Sequence, residues 1–264
     1  MKTPKILSGR ELAGFIKERQ SITVRQMDQQ PTLLIIRDSD NPVIKKYVDL
    51  KIRYGEDIGI NVIDYKAGNS ADIQSKIESA NTDPSIHGII LQLPILEKEK
   101  TDSLTSLIAP PKDVDGLSGH GDFDSATATA ILWLLTGYDI DLKTKSIALV
   151  GRGKLVGAPL YKMFKASNYQ VEIFHHGSDL SKLKDFDIII TAAGHPGLIL
   201  DEYIKPGAIL VDAGTTSEDG VLKGDLSSEV RMRKDLVAIT PETGGVGPLT
   251  ISCLFDHVIR SSQK

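Results

Sequence analysis

The chain has 264 residues and one cysteine, Cys253, which excludes an internal disulfide and a cysteine-rich metal centre and leaves room for one large or two ordinary domains. Its net charge of −4 gives no reason to expect nucleic acid or an anionic membrane as a partner. With 41% apolar and 25% charged residues, no apolar run of membrane-spanning length and no signal-like segment in the first ten residues, the expectation is a folded cytoplasmic protein.

Residues 9–27 carry Leu12, Phe15, Ile16 and Val24 at helical spacing behind Ser8, a residue suited to an N-cap. A strand is expected over 32–36, then a helix over 42–58 with Gly59 in the usual stop position. A strand at 61–65, a helix at 71–80 and a strand at 86–91 continue the alternation, which implies parallel βαβ units. Pro110, Pro111 and the glycine-rich stretch 116–121 mark a domain junction, so the first domain is expected over 1–120 and the second over 121–246. Beyond it lie a helix at 126–135, strands at 147–150, 171–174, 188–191, 208–211 and 237–239, and a last helix at 249–260 behind a second glycine turn, 244–247. The fold class is α/β, two α/β domains with a cleft between them.

Four segments of the first half hold polar groups that packing alone does not require. A helix puts Tyr47 and Lys51 four residues apart on one face, where a phenol beside an ammonium tunes a proton-transfer lysine; a solvated surface lysine is the ordinary alternative. Gln92 falls at the carboxyl end of a buried strand, where open α/β sheets place ligands, and a capping amide fits the same position. Asp113 and Asp115 flank a valine before Gly116; such a pair suits a protonated ring nitrogen or an Asx-turn, and without a histidine or third carboxylate at ligand spacing no metal is expected.

In the second half Gly151, Arg152, Gly153 and Gly157 follow an apolar strand and open a helix. Such a turn brings backbone N–H groups and a helix N-terminus to a phosphate, although G-x-G-x-x-x-G is one residue longer than the usual dinucleotide pattern, and alone it fits a structural turn equally well. No carboxylate follows the next strand until Asp179, and Arg152 is placed to meet a 2′-phosphate, so NADP is preferred to NAD; His175 and His176 also fit an exposed loop.

Taken together, Y-V-x-x-K from Tyr47, Q-L-P from Gln92, K-D-V-D-G from Lys112, G-R-G-x-x-V-G-x-P from Gly151 and P-x-x-G-G-V-G-P-x-T from Pro241 resemble the methylenetetrahydrofolate dehydrogenase/methenyltetrahydrofolate cyclohydrolase (FolD) family, in order and from about Ser8 to Arg260. The resemblance implies a folate-binding catalytic domain, with the C-terminal helix 247–264 packing back on it, and a Rossmann-type NAD(P)-binding domain. It implies NADP-dependent oxidation of 5,10-methylenetetrahydrofolate and hydrolysis of the product to 10-formyltetrahydrofolate, in one-carbon metabolism and purine biosynthesis, by a homodimer that needs no metal. Carried over by position, Lys51 assists proton transfer and water activation, Tyr47 stacks near the folate, Gln92 orients the lysine and Asp115 hydrogen-bonds the pterin. Gly151, Arg152 and Gly153 take the cofactor-phosphate turn, and Thr215 and His176 fall at further cofactor-lining positions.

The chain departs from the family pattern at Ala126-Thr127-Ala128-Thr129-Ala130, where C-T-P-x-G is common, at Leu117-Ser118-Gly119, and at Ile44, Gly153 and Thr243. These changes keep open two alternatives, a dehydrogenase without hydrolase and a non-catalytic folate- or nucleotide-binding homologue. The intact Lys51 and Gln92 speak for both activities.

Overall fold

A computed structural model describes residues 3–214, 216–218 and 221–264. The chain opens with β1 (Lys5–Ile6) and α1 (Gly9–Arg25), and β2 (Thr32–Arg37), α2 (Pro42–Ile58), β3 (Asn61–Lys66), α3 (Ser70–Thr82) and β4 (Gly88–Leu91) follow in alternation. A short α4 (Thr101–Thr105) precedes α5 (Ala126–Gly137), β5 (Ile147–Val150), α6 (Gly157–Ala166), β6 (Val171–Phe174), β7 (Ile188–Thr191) and β8 (Ile209–Asp212). A hairpin of β9 (Thr216–Glu218) and β10 (Val221–Lys223), a single turn α7 (Ser228–Arg231), β11 (Ala238–Ile239) and α8 (Val246–Ser261) end it.

The chain forms two compact units, Gly14–Ala126 with Ile251–Lys264, and the residues up to Ala13 with Thr127–Thr250. By their contacts the first residues go with Thr127–Thr250. The cause is β1, which pairs in parallel with β11 through Lys5↔Ala238 and Ile6↔Ile239. Two residues are too few to show as an alternation pattern.

In the unit of residues 14–126 the sheet runs β3-β2-β4, all parallel. Every residue of β2 is buried, as expected for a parallel strand covered on both faces. Leu34, Ile36, Ile89 and Leu91 pack with Ile73 and Ile77 of α3 and Leu104 of α4. Because β3 joins one side of β2 and β4 the other, strand order reverses at the β2/β4 boundary, and ligands in open α/β sheets bind outside the carboxyl ends at such a point.

The second unit holds a parallel sheet of order β1-β11-β8-β7-β5-β6. Its core gathers Ala148, Val150, Phe174, Ile189, Leu210, Leu226 and Val230. Strand order reverses beside β5, with β6 on one side and β7 on the other, so the glycine turn after β5 also stands at a switch point. The start of α1 lies against the second glycine turn: Arg10 N–H donates to Gly244 O at 3.0 Å, and a Cβ on Gly9 would stand 1.8 Å from Gly245 O. A side chain at Gly9 would force that turn open.

Candidate active site

Helix α2 sets the lysine. Asn41 caps it through Val43 N–H at 2.8 Å, Pro42 occupies its first turn, and Gly59 at φ 85° ends it with its N–H on Glu56 O at 3.2 Å. Gly55 allows the helix to settle deeply, since a Cβ there would stand 2.4 Å from Val62 Cγ2 and 3.2 Å from Phe255 Cε1. Ile44, Val48 and Ile58 are buried, and Tyr47 and Lys51 follow one turn apart on the flank of that apolar face. At Ile44, one of the departures from the family pattern, the side chain is therefore a core residue.

Gln92 extends the β4 ladder by one bond, its N–H on Ile36 O at 2.8 Å. Its Nε2 donates to Leu93 O at 3.1 Å, which turns Oε1 toward Lys51, and Lys51 Nζ donates to that oxygen at 2.6 Å. Burial pushes the Lys51 ammonium below the ordinary lysine range, while the Asp115 carboxylate draws it partly back. Burial likewise pushes Asp115 up, with Lys51 opposing and Asp113 adding to the rise. Burial also raises the Tyr47 phenol, which stays protonated near neutrality.

The two aspartates of the Lys112–Gly116 segment divide their work. Asp113 is fully buried and holds the turn: Oδ1 accepts from Gly116 and Leu117 N–H at 3.1 and 3.2 Å, and Oδ2 from Ser118 N–H at 2.8 Å. That is the Asx-turn reading, and it falls on Asp113, whereas Asp115 is electrostatically coupled to Lys51. Its backbone carbonyl accepts from Ala126 N–H at 3.2 Å, at the start of the altered A-T-A-T-A segment. Ala126, Ala128 and Ala130 are all completely buried, so that departure lies in a helix start packed closely on more than one side.

The sequence gives no sign of the part played by His257. Its Nδ1 lies 2.8 Å from Val114 O, its ring stacks on Phe123 at 4.6 Å, and burial lowers its pKa, which keeps the ring neutral and leaves Nδ1–H to donate. It thereby fixes the residue just before Asp115. The partner is a backbone carbonyl 143 residues away, which no spacing rule detects. Cys253, one helical turn earlier, is fully buried with Sγ 3.5 Å from His257 Nε2.

The glycine turn of the second unit is folded tightly enough that only glycine fits. Gly151 has φ 111° and its N–H meets Phe174 O at 2.8 Å; a Cβ on it would stand 2.4 Å from Ala192 O. A Cβ on Gly157, the first residue of α6, would lie 2.1 Å from Gly151 O. This is a cradle of backbone at a helix N-terminus, suited to a pyrophosphate, with Arg152 and Gly153 exposed at its rim. A Cβ on Gly153 would meet nothing within 4 Å, so the position has room for a side chain. Beyond β6, His175 and His176 are exposed, and the Asp179 carboxylate caps the following turn by accepting from Ser181 N–H and Oγ at 3.1 and 2.7 Å. A ribose-binding acid for NAD is therefore missing from this strand end, as NADP requires. Thr215 lies outside the described residues.

Tyr47, Lys51, Gln92 and Asp115 thus gather in one unit, and Gly151, Arg152 and Gly153 gather at the switch point of the other, with His176 on the loop after β6. A dinucleotide-type sheet joined in one chain to an α/β unit bearing a buried lysine beside a carboxylate is the arrangement of a pyridine-nucleotide-dependent enzyme. Family models described as tetrahydrofolate dehydrogenase/cyclohydrolase match this chain, the catalytic domain over residues 7–115 and the NAD(P)-binding domain over 125–264. The chain is 34% identical to bifunctional protein FolD 2 of Lactobacillus johnsonii, over 98% of each chain. Its fold is similar to the bifunctional FolD of Campylobacter jejuni, at 31% identity, TM-score 0.91 and 98% of each chain. It is also similar to the Trypanosoma brucei FolD complexed with NADP and an inhibitor, at 27%, 0.90, and 100% and 98% of the two chains. The chain belongs to the tetrahydrofolate dehydrogenase/cyclohydrolase family.

Proposed function

We propose that this protein oxidises 5,10-methylenetetrahydrofolate with NADP and hydrolyses the resulting 5,10-methenyltetrahydrofolate to 10-formyltetrahydrofolate. The observation that carries the reading is the Lys51–Gln92 hydrogen bond of 2.6 Å beside Asp115, within a family whose bifunctional members match along the whole chain. NADP, held at the Gly151–Gly153 turn, would supply the acceptor for the hydride of the methylene carbon. The folded product cation is shared between N5 and N10, so that step asks for alignment and no proton. Asp115 accepts paired N–H donors of the pterin, and Tyr47 packs against the ring.

Hydrolysis does ask for a base. Water adds to the methenyl carbon and loses a proton to neutral Lys51; one proton then goes to N5 as the carbon–N5 bond breaks, and one is released overall. Burial, which holds the Lys51 ammonium below the ordinary lysine range, favours the neutral amine that this step asks for. Gln92, through its fixed Oε1, holds the amine in place without adding charge. The intact pair favours both activities over a dehydrogenase alone or a silent binding protein. Arg152 meets the 2′-phosphate and Gly151, Gly153, Thr215 and His176 line the cofactor. The protein acts in the cytoplasm as a homodimer, and its product is a formyl donor for purine biosynthesis; among the described residues no helix is long and apolar enough to cross a membrane.

Mixing the protein with 5,10-methylenetetrahydrofolate and NADP is expected to give methenyl absorbance that rises and then decays. No NADP-dependent rise would exclude the dehydrogenase. In Gln92→Glu a carboxylate replaces the neutral acceptor and raises the Lys51 pKa, so the pH limb on which hydrolysis gains rate moves to higher pH. The expected result is slow decay at neutral pH that recovers on the alkaline side. An equal loss at every pH would show that Lys51 is not the base.

A further inference from the structure

The carboxyl edge of the six-stranded sheet holds a pair of buried carboxylates that the reading above leaves unused. Asp212 ends β8, and its side chain is only 3% exposed. Its Oδ1 accepts from Thr191 Oγ1 at 3.0 Å and from Gly214 and Asp225 N–H at 3.1 Å. Its Oδ2 accepts from Leu226 N–H at 3.2 Å and pairs with the Arg231 guanidinium. Asp225 is 1% exposed, and its two oxygens accept from Ala193 and His195 N–H, each at 2.8 Å.

The loops are built around these two groups. A Cβ on Gly214 would stand 2.1 Å from the Asp225 carboxyl carbon, and one on Gly224 2.0 Å from Asp212 Oδ2. Two carboxylates buried in one cluster repel, and the Arg231 guanidinium is paired with Asp212. What Asp225 does is hold, by both its oxygens, the loop that follows β7.

That loop occupies a defined place. Ala192 N–H donates to Val150 O at 2.7 Å, and Ala192 O is the atom a Cβ on Gly151 would strike. It therefore starts against the glycine turn, on the β7 side of β5, and Thr216 Oγ1 fixes it further by donating to Gly194 O at 2.6 Å. In a dinucleotide-binding sheet the adenosine ribose goes to the end of the second strand, here β6, so the nicotinamide half goes to the other side of the turn.

We propose that Asp225, seated against Asp212, is a positioning residue for the nicotinamide half of the cofactor: it fixes the 192–195 backbone as the wall along which that ring is placed. The inference rests on the NADP-dependent dehydrogenase reading. It assigns Asp225 no contact with the reacting atoms; the effect passes through the Ala193 and His195 amides.

In Asp225→Asn the side-chain amide must turn an NH2 toward one of those two N–H groups, so a bond is lost and a buried donor is left unpaired. Gly214→Ala displaces the same carboxylate from the other side. Both variants are tested as the full chain by NADPH fluorescence titration, by KM for NADP and for the folate, and by cofactor-free hydrolysis of 5,10-methenyltetrahydrofolate. The expected result in each is about tenfold or weaker NADPH binding and a matching rise in KM for NADP. Hydrolysis and the folate KM, which report the other unit, are expected to change less than about twofold, within ordinary context effects. Unchanged NADPH binding in a variant that still hydrolyses would overturn the proposal, and so would parallel loss of hydrolysis, the mark of a purely structural role. Failure of the unsubstituted protein to bind NADPH would count against the dehydrogenase reading itself.

Discussion

Lys51→Met is expected to slow hydrolysis of 5,10-methenyltetrahydrofolate by about 10²–10⁴-fold, the usual worth of a positioned general base. Methionine keeps the length of the aliphatic stem, so the packing along the flank of α2 is retained and the loss falls on the amine. The oxidation step moves an electron pair with its hydrogen and no free proton, so it does not need that amine. Methenyl absorbance should therefore build up to a plateau in the variant where the native protein shows only a transient. The measurement is stopped-flow absorbance with the same folate and NADP in both proteins. Hydrolysis at the native rate in Lys51→Met would remove this lysine from the mechanism.

A second large effect is expected in the other unit. Gly157→Val puts a branched side chain where even a Cβ lies 2.1 Å from Gly151 O, and that oxygen belongs to backbone that cannot swing aside. The turn must open by more than an ångström, which separates the N–H groups at the start of α6 from the phosphate they face. A misplacement of that size costs about 10²-fold where geometry governs the reaction. NADP binding by fluorescence titration is expected to weaken by about that factor, with hydrolysis of added 5,10-methenyltetrahydrofolate retained. Tight NADP binding in Gly157→Val would place the cofactor elsewhere.

The alternation of helices and strands was legible in the sequence because β2, β4, β5, β7 and β8 are parallel strands covered by helices and read as short apolar runs. Helix α2 was legible to the residue, with Pro42 at its start and Gly59 at its stop, while the Asn41 cap is seen only in the structure. Where strands are very short, sequence patterns are silent: β1 gives two residues to a distant strand, and β9 and β10 of the local hairpin three each. The helix α8 starts at Val246, before the expected Leu249, because the second glycine turn ends at Gly245 and Gly247 is already helical. Of the site, Tyr47 and Lys51 follow from helical spacing and Gln92 from its strand end, but the 2.6 Å contact that joins Lys51 to Gln92 spans 41 positions and needs the fold. His257 and Asp225 act through backbone groups, which carry no residue identity to read.

The most direct measurement uses 5,10-methylenetetrahydrofolate with both hydrogens of the bridging carbon replaced by deuterium, incubated with the protein and NADP, and mass spectrometry of both products. One deuteron is expected in the reduced cofactor and the other on the formyl carbon of 10-formyltetrahydrofolate. Reduced cofactor free of deuterium, or 10-formyltetrahydrofolate retaining none, would contradict hydride transfer followed by lysine-assisted hydrolysis.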